Sequence, residues 1–155
     1  YAEKYSTMIQ SFGPEARGSS CSAQVIIADE PVAYPYVTKP EILVVMSQEA
    51  YTKFLPELKE GGILITESDL IQTENLDQSI KHYSIPSTRI AEELGRKLIL
   101  NIVMVGFFAA VSKVLDKESV YKAVESSVPK GTEVLNLNAF NKGYEFGIDL
   151  LSKLN

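Results

Sequence analysis

The stretch EILVVMSQEAYTKFLPELKEGGILIT, residues 41–66, decides the fold. EILVVM, at 41–46, is a short apolar run rich in β-branched residues, the pattern of a strand buried on both faces. Ser47 stands where a helix N-cap is wanted, because its hydroxyl can accept from a backbone N–H one turn on. The helix then runs through SQEAYTKFLPEL, and Pro56, which has no N–H to give, kinks or ends it. Gly61-Gly62 turns the chain into GILIT, a second buried strand. Two strands joined by a helical crossover lie parallel, so 41–66 is a βαβ unit.

Working outward, Tyr5–Gln10 and Ser22–Ala28 read as strands, the second ended by Asp29-Glu30-Pro31. Beyond the βαβ unit, Glu67–Gln78 is polar and without apolar periodicity, which predicts a surface excursion. Ile80–Ile85 (IKHYSI) alternates and predicts a strand near an edge. Pro86-Ser87-Thr88 opens a helix through IAEEL that Gly95 closes. Leu98–Leu115 is an apolar helix, Asp116–Ser126 an amphipathic one with Asp116 as N-cap, and Pro129-Lys130-Gly131 a turn. Thr132–Leu154 is a long final helix. Its apolar residues Val134, Leu135, Leu137, Phe140, Tyr144, Ile148 and Leu151 have the spacing of one buried face. The expected fold is therefore α/β, three-layer, with a mostly parallel sheet flanked by helices. Residues 1–155 are expected to form a single domain without internal repeats. The opening strand follows only Tyr1-Ala2-Glu3-Lys4, whereas a doubly wound sheet usually begins on a central strand and a glycine-rich turn. The first βα unit is thus expected to lie upstream of Tyr1, which makes this an N-terminally truncated chain.

Composition narrows the function. The chain has 155 residues, 45% hydrophobic and 23% charged, enough for one real core. Its net charge of -5 argues against nucleic-acid binding, which wants a basic face. One cysteine, Cys21, precludes an internal disulfide and suits a reducing cytoplasm. The run Leu98–Val111 is too short to span a bilayer, so no membrane partner is expected. With one histidine, His82, the chain lacks a closed zinc set, and an iron–sulfur cluster needs several cysteines. No Walker loop and no G-x-G-x-x-G occurs. No metal site and no catalytic residue is assigned.

One loop carries more than a turn requires. In QSFGPEARGSS, 10–20, Gly13 and Pro14 meet Glu15, Arg17 and Gly18. The residues alone leave two readings open. Glu15 and Arg17 could brace the loop internally, or the loop could face a ligand or a partner, as loops at strand ends of α/β sheets do. Arg suits the second role because its planar fork pairs bidentately with carboxylate or phosphate.

SFGPEARG at 11–18 and CSAQVIIADEPV at 21–32 resemble the signature of the gamma subunit of 2-oxoacid:ferredoxin oxidoreductases. PEILVVMSQEAYTKFLPELKEGGILI, IPSTRIAEELG, NIVMVGFFAAV and LNLNAFNKGYEFG continue the resemblance in order, over nearly the whole chain. The 2-oxoglutarate branch is most similar; pyruvate, ketoisovalerate and indolepyruvate relatives share the core motifs. Ser19 departs from the Gly-Gly that typically follows the arginine, and the family's G-x-G-G-Q-G segment is absent.

The resemblance implies a subunit of a larger enzyme that oxidatively decarboxylates a 2-oxoacid and reduces ferredoxin. It implies alpha, beta and delta-type partners, and a whole complex using thiamine diphosphate, magnesium, coenzyme A and iron–sulfur clusters, none of them held by this chain. It also favours the partner- or ligand-facing reading of Gly13, Pro14, Glu15, Arg17 and Gly18. The competing class is a stand-alone nucleotide- or small-ligand-binding α/β module. Apolar helices in excess of what a small sheet covers predict that the isolated chain self-associates, for example as a homodimer, or exposes an apolar patch.

The remaining features take plain readings. His82 is expected to be structural, within a strand, and Cys21 a small buried or half-buried residue. Glu67, Asp69, Glu74 and Asp77 lack the order of a calcium loop and are expected to be solvated. Asn101 is expected to be a buried polar group, and Gly106 to admit another backbone closely.

Overall fold

The computed structural model describes residues 1–13 and 20–154. They fall into two compact units, one spanning Ala2–Lys39 and the other beginning at Pro40.

The first unit is an antiparallel pair, β1 (Tyr5–Phe12) and β2 (Cys21–Ala28), in register from Tyr5↔Ala28 to Phe12↔Cys21. The Gly13 N–H donates to the Ser20 carbonyl at 3.0 Å and closes the ladder. Gln24 reaches out of β2 and accepts from the Val37 N–H at 3.1 Å, which holds the following segment. Lys4 pairs with Asp29 just outside the Tyr5↔Ala28 rung. Both strands match their expected positions, but they pair with each other and not within the parallel sheet. Cys21, expected to be at least half-buried, is exposed. It ends the ladder opposite Phe12, so nothing on the partner strand extends past it to cover it.

The second unit holds the parallel sheet, ordered β3 (Ile42–Val45), β4 (Ile63–Glu67), β5 (Lys81–Ile85). Val45 pairs with Thr66, and Glu67 with Ile85, so β4 is flanked on both sides. The crossover after β3 is α1 (Gln48–Phe54). Ser47 caps it by accepting from the Ala50 N–H at 3.2 Å. A single 3-10 turn, Leu55–Glu57, carries Pro56 and ends the helix where proline was expected to. Gly61 takes a left-handed φ of 72°, open to glycine at little cost.

The strand alternation sorts the core into two layers. Val45, Leu64 and Ile71 pack with Tyr51 of α1 on one face. Ile65 and Ile85 face the other way, against α2 (Ser87–Glu93), α3 (Leu100–Ser112) and α5 (Glu133–Leu154). Gly95, at φ 84°, closes the α2 region as expected. Between α3 and α5 lies α4 (Lys117–Ser127), capped by Asp116, whose carboxylate accepts from the Ser119 N–H at 2.8 Å.

The seam between α3 and α5 is built from absences of side chains. A Cβ on Gly106 would lie 2.0 Å from the Phe140 carbonyl oxygen, and one on Gly143 1.9 Å from that of Val103. Each helix therefore sets a glycine against the other's backbone, as Gly106 alone suggested. The face of α5 is not quite the one its large residues traced. Phe140 is fully buried, but Val134 is 77% exposed and Ile148 is exposed too, while Asn136, Ala139, Gly143 and Gly147 turn inward. Close approach selects small residues for the contact line and leaves bulky ones at its margins.

Candidate functional site

In open α/β sheets the carboxyl ends of the strands are where ligands and partners are met. Three segments of the second unit gather there: Ser47-Gln48 after β3, Glu67-Ser68-Asp69 after β4, and Ser87-Thr88-Arg89 after β5.

Glu67 is the centre of this rim. It is fully buried, as is Ser87. One carboxylate oxygen accepts from the Ser87 hydroxyl, from the Thr88 N–H at 2.8 Å and from the Thr88 hydroxyl at 3.1 Å. The other accepts from the Asp69 N–H at 2.9 Å. A buried carboxylate is tolerable only with such a full set of donors. α2 has Pro86 at its cap position and no side-chain cap of its own. Glu67 supplies the missing acceptor from the neighbouring strand, with its negative charge at the helix start where the backbone dipole favours it. The Ser68 N–H donates to the Ile85 carbonyl at 3.0 Å and extends the β4–β5 ladder into the loop.

Two further braces tie the rim. Arg89 pairs with Asp69 at 2.6 Å, with the arginine side chain 64% exposed. The Gln48 side chain accepts from the Gln72 N–H at 2.8 Å and donates to the Gln72 carbonyl at 3.3 Å. The expectation of a solvated excursion over Glu67–Gln78 thus fails at its first residue and at Ile71, which is 7% exposed. Asp69, Glu74 and Asp77 are exposed, as expected. The missed signal was local. GILIT runs straight on into Glu67, so a strand end falls on a carboxylate, and two hydroxyl residues follow the next strand.

His82 lies in β5, its Nε2 2.9 Å from the Thr66 hydroxyl, and burial holds its pKa below the usual histidine range. It is a structural residue. Asn101, expected to be buried, is exposed in the first turn of α3, and Asn136 of α5 is buried instead. Of the loop residues singled out from sequence, Gly13 closes the β1–β2 ladder. Pro14, Glu15, Arg17 and Gly18 lie outside the described residues. Among the described residues, no group of three or more His, Cys, Asp or Glu side chains could hold a metal ion. Among the described residues, no helix is long and apolar enough to cross a membrane. The rim offers a hydrogen-bonded edge and an exposed guanidinium tied to Asp69.

The model of the pyruvate ferredoxin/flavodoxin oxidoreductase family matches residues 1–146. The chain belongs to that family. Among curated members, it is 45% identical to the 2-oxoglutarate synthase subunit KorC of Methanocaldococcus jannaschii, over 97% of this chain and 81% of that one. The corresponding KorC subunit of Methanothermobacter marburgensis is 38% identical, over 94% of this chain and 81% of its own length. A crystal structure of a keto/oxoacid ferredoxin oxidoreductase gamma subunit from Geobacter sulfurreducens superposes with a TM-score of 0.77 at 35% identity, over 94% of this chain and 82% of that one. The family's fold extends further: a 2-oxoglutarate:ferredoxin oxidoreductase from Magnetococcus marinus gives a TM-score of 0.81 at 17% identity, covering 94% of this chain and 26% of that one. The gamma-subunit resemblance read from the motifs is borne out by these matches, and so is the α/β fold with its parallel sheet.

Proposed function

We propose that this chain is the gamma subunit of a cytoplasmic 2-oxoglutarate:ferredoxin oxidoreductase. It acts as one gamma-type domain beside alpha, beta and delta-type subunits in the coenzyme A-dependent oxidative decarboxylation of 2-oxoglutarate, with electrons passing to ferredoxin. The observation that carries this reading is the 45% identity to a 2-oxoglutarate synthase subunit across 97% of the chain. The donor chemistry supports a division of labour. One cysteine and one histidine cannot ligate a cluster, so the iron–sulfur clusters belong to other subunits, as do thiamine diphosphate and its magnesium. When bound, these groups supply decarboxylation and electron transfer; this chain supplies structure and contact surface. The Gly13, Pro14, Glu15, Arg17, Gly18 loop is assigned to the side facing ligand or partner.

The test is reconstitution. The purified chain with 2-oxoglutarate, coenzyme A, thiamine diphosphate, magnesium and an artificial acceptor should show no turnover, and the four-subunit complex should show it. Turnover by the chain alone would sink the reading. Within the complex, Arg17→Lys keeps charge but loses the fork, so it and Glu15→Gln should lower activity or assembly while leaving the thermal stability of the isolated chain unchanged. If both instead destabilise the isolated chain by about 1.5–3 kcal/mol, the range for hydrogen bonds to charged groups, the loop is an internal brace.

A further inference from the structure

We draw no further inference here: the strongest candidate, the face of the β1–β2 ribbon on which Met8, Phe12 and Val25 stand exposed together, is an unpartnered apolar face, and nothing in the structure shows what covers it.

Discussion

Gly143→Ala puts one methyl group into the α3–α5 seam. On helix propensity alone it should help, since alanine is favoured over glycine in a helix interior by about 1 kcal/mol. The seam reverses the sign. The new Cβ would stand 1.9 Å from the Val103 carbonyl oxygen, 2.8 Å from its carbon and 3.0 Å from the Phe107 nitrogen. A carbon needs about 3.3 Å from a carbonyl oxygen, so the helices must part by about 1.4 Å. Every neighbour in the way is backbone, and no rotamer change relieves it. Parting the helices loosens Phe107, Ala139 and Phe140, all fully buried. Overpacking costs typically 1–3 kcal/mol, and a clash with backbone belongs at the top of that range. Less the propensity gain, the net loss is about 2 kcal/mol, or about 4–8 °C in Tm for a chain of this size. Urea and thermal unfolding of the isolated chain measure it, with Asn138→Ala on the exposed side of α5 as the propensity control. If Gly143→Ala matches or exceeds the stability of the parent chain, the close crossing of α3 and α5 is wrong.

Glu67→Ala should destabilise by about 3 kcal/mol, because the buried Ser87 hydroxyl and the α2 amide lose their acceptor together; Glu67→Gln keeps one oxygen and should cost less in the same denaturant titration. Burial lowers the pKa of His82 in the fold, so the unfolded chain takes up a proton first as pH falls. Stability is then full above the ordinary histidine value of about 6.5 and declines below it. His82→Gln should remove that step from a plot of Tm against pH, and a step that persists would assign it to another group.

Much of this fold was written locally. The β-branched run EILVVM, the Ser47 cap, Pro56 and the paired glycines at 61 and 62 each act within a turn or two of chain, so the βαβ unit could be read from them. Asp116 and Gly95 marked helix ends for the same reason. What escaped depends on residues far apart. Glu67 looked like the start of a solvated loop because its donors, Ser87 and Thr88, are one strand later. Val134 and Ile148 fit a helical stripe on α5, yet the buried line was chosen by the glycine on α3 that faces it. Asn101 and Asn136 are alike as letters, and only the packing of the helices decides which one is covered. For Glu15 and Arg17, sequence motif and family membership carry the argument, since both lie outside the described residues.

The glycine seam also sets which parts of the chain can breathe. A gap too narrow for a methyl group has no room for water, so solvent cannot reach the Val103 and Phe140 carbonyls by a small fluctuation. The amides of α3 and α5 along that line can exchange their hydrogens only when the two helices come apart, and with them the core cluster under the sheet. α4 packs Val120 and Val124 against Ala109 and Phe140, so it is tied to the same two helices. The amides facing the smallest residues of these two helices are therefore expected to be among the slowest to exchange.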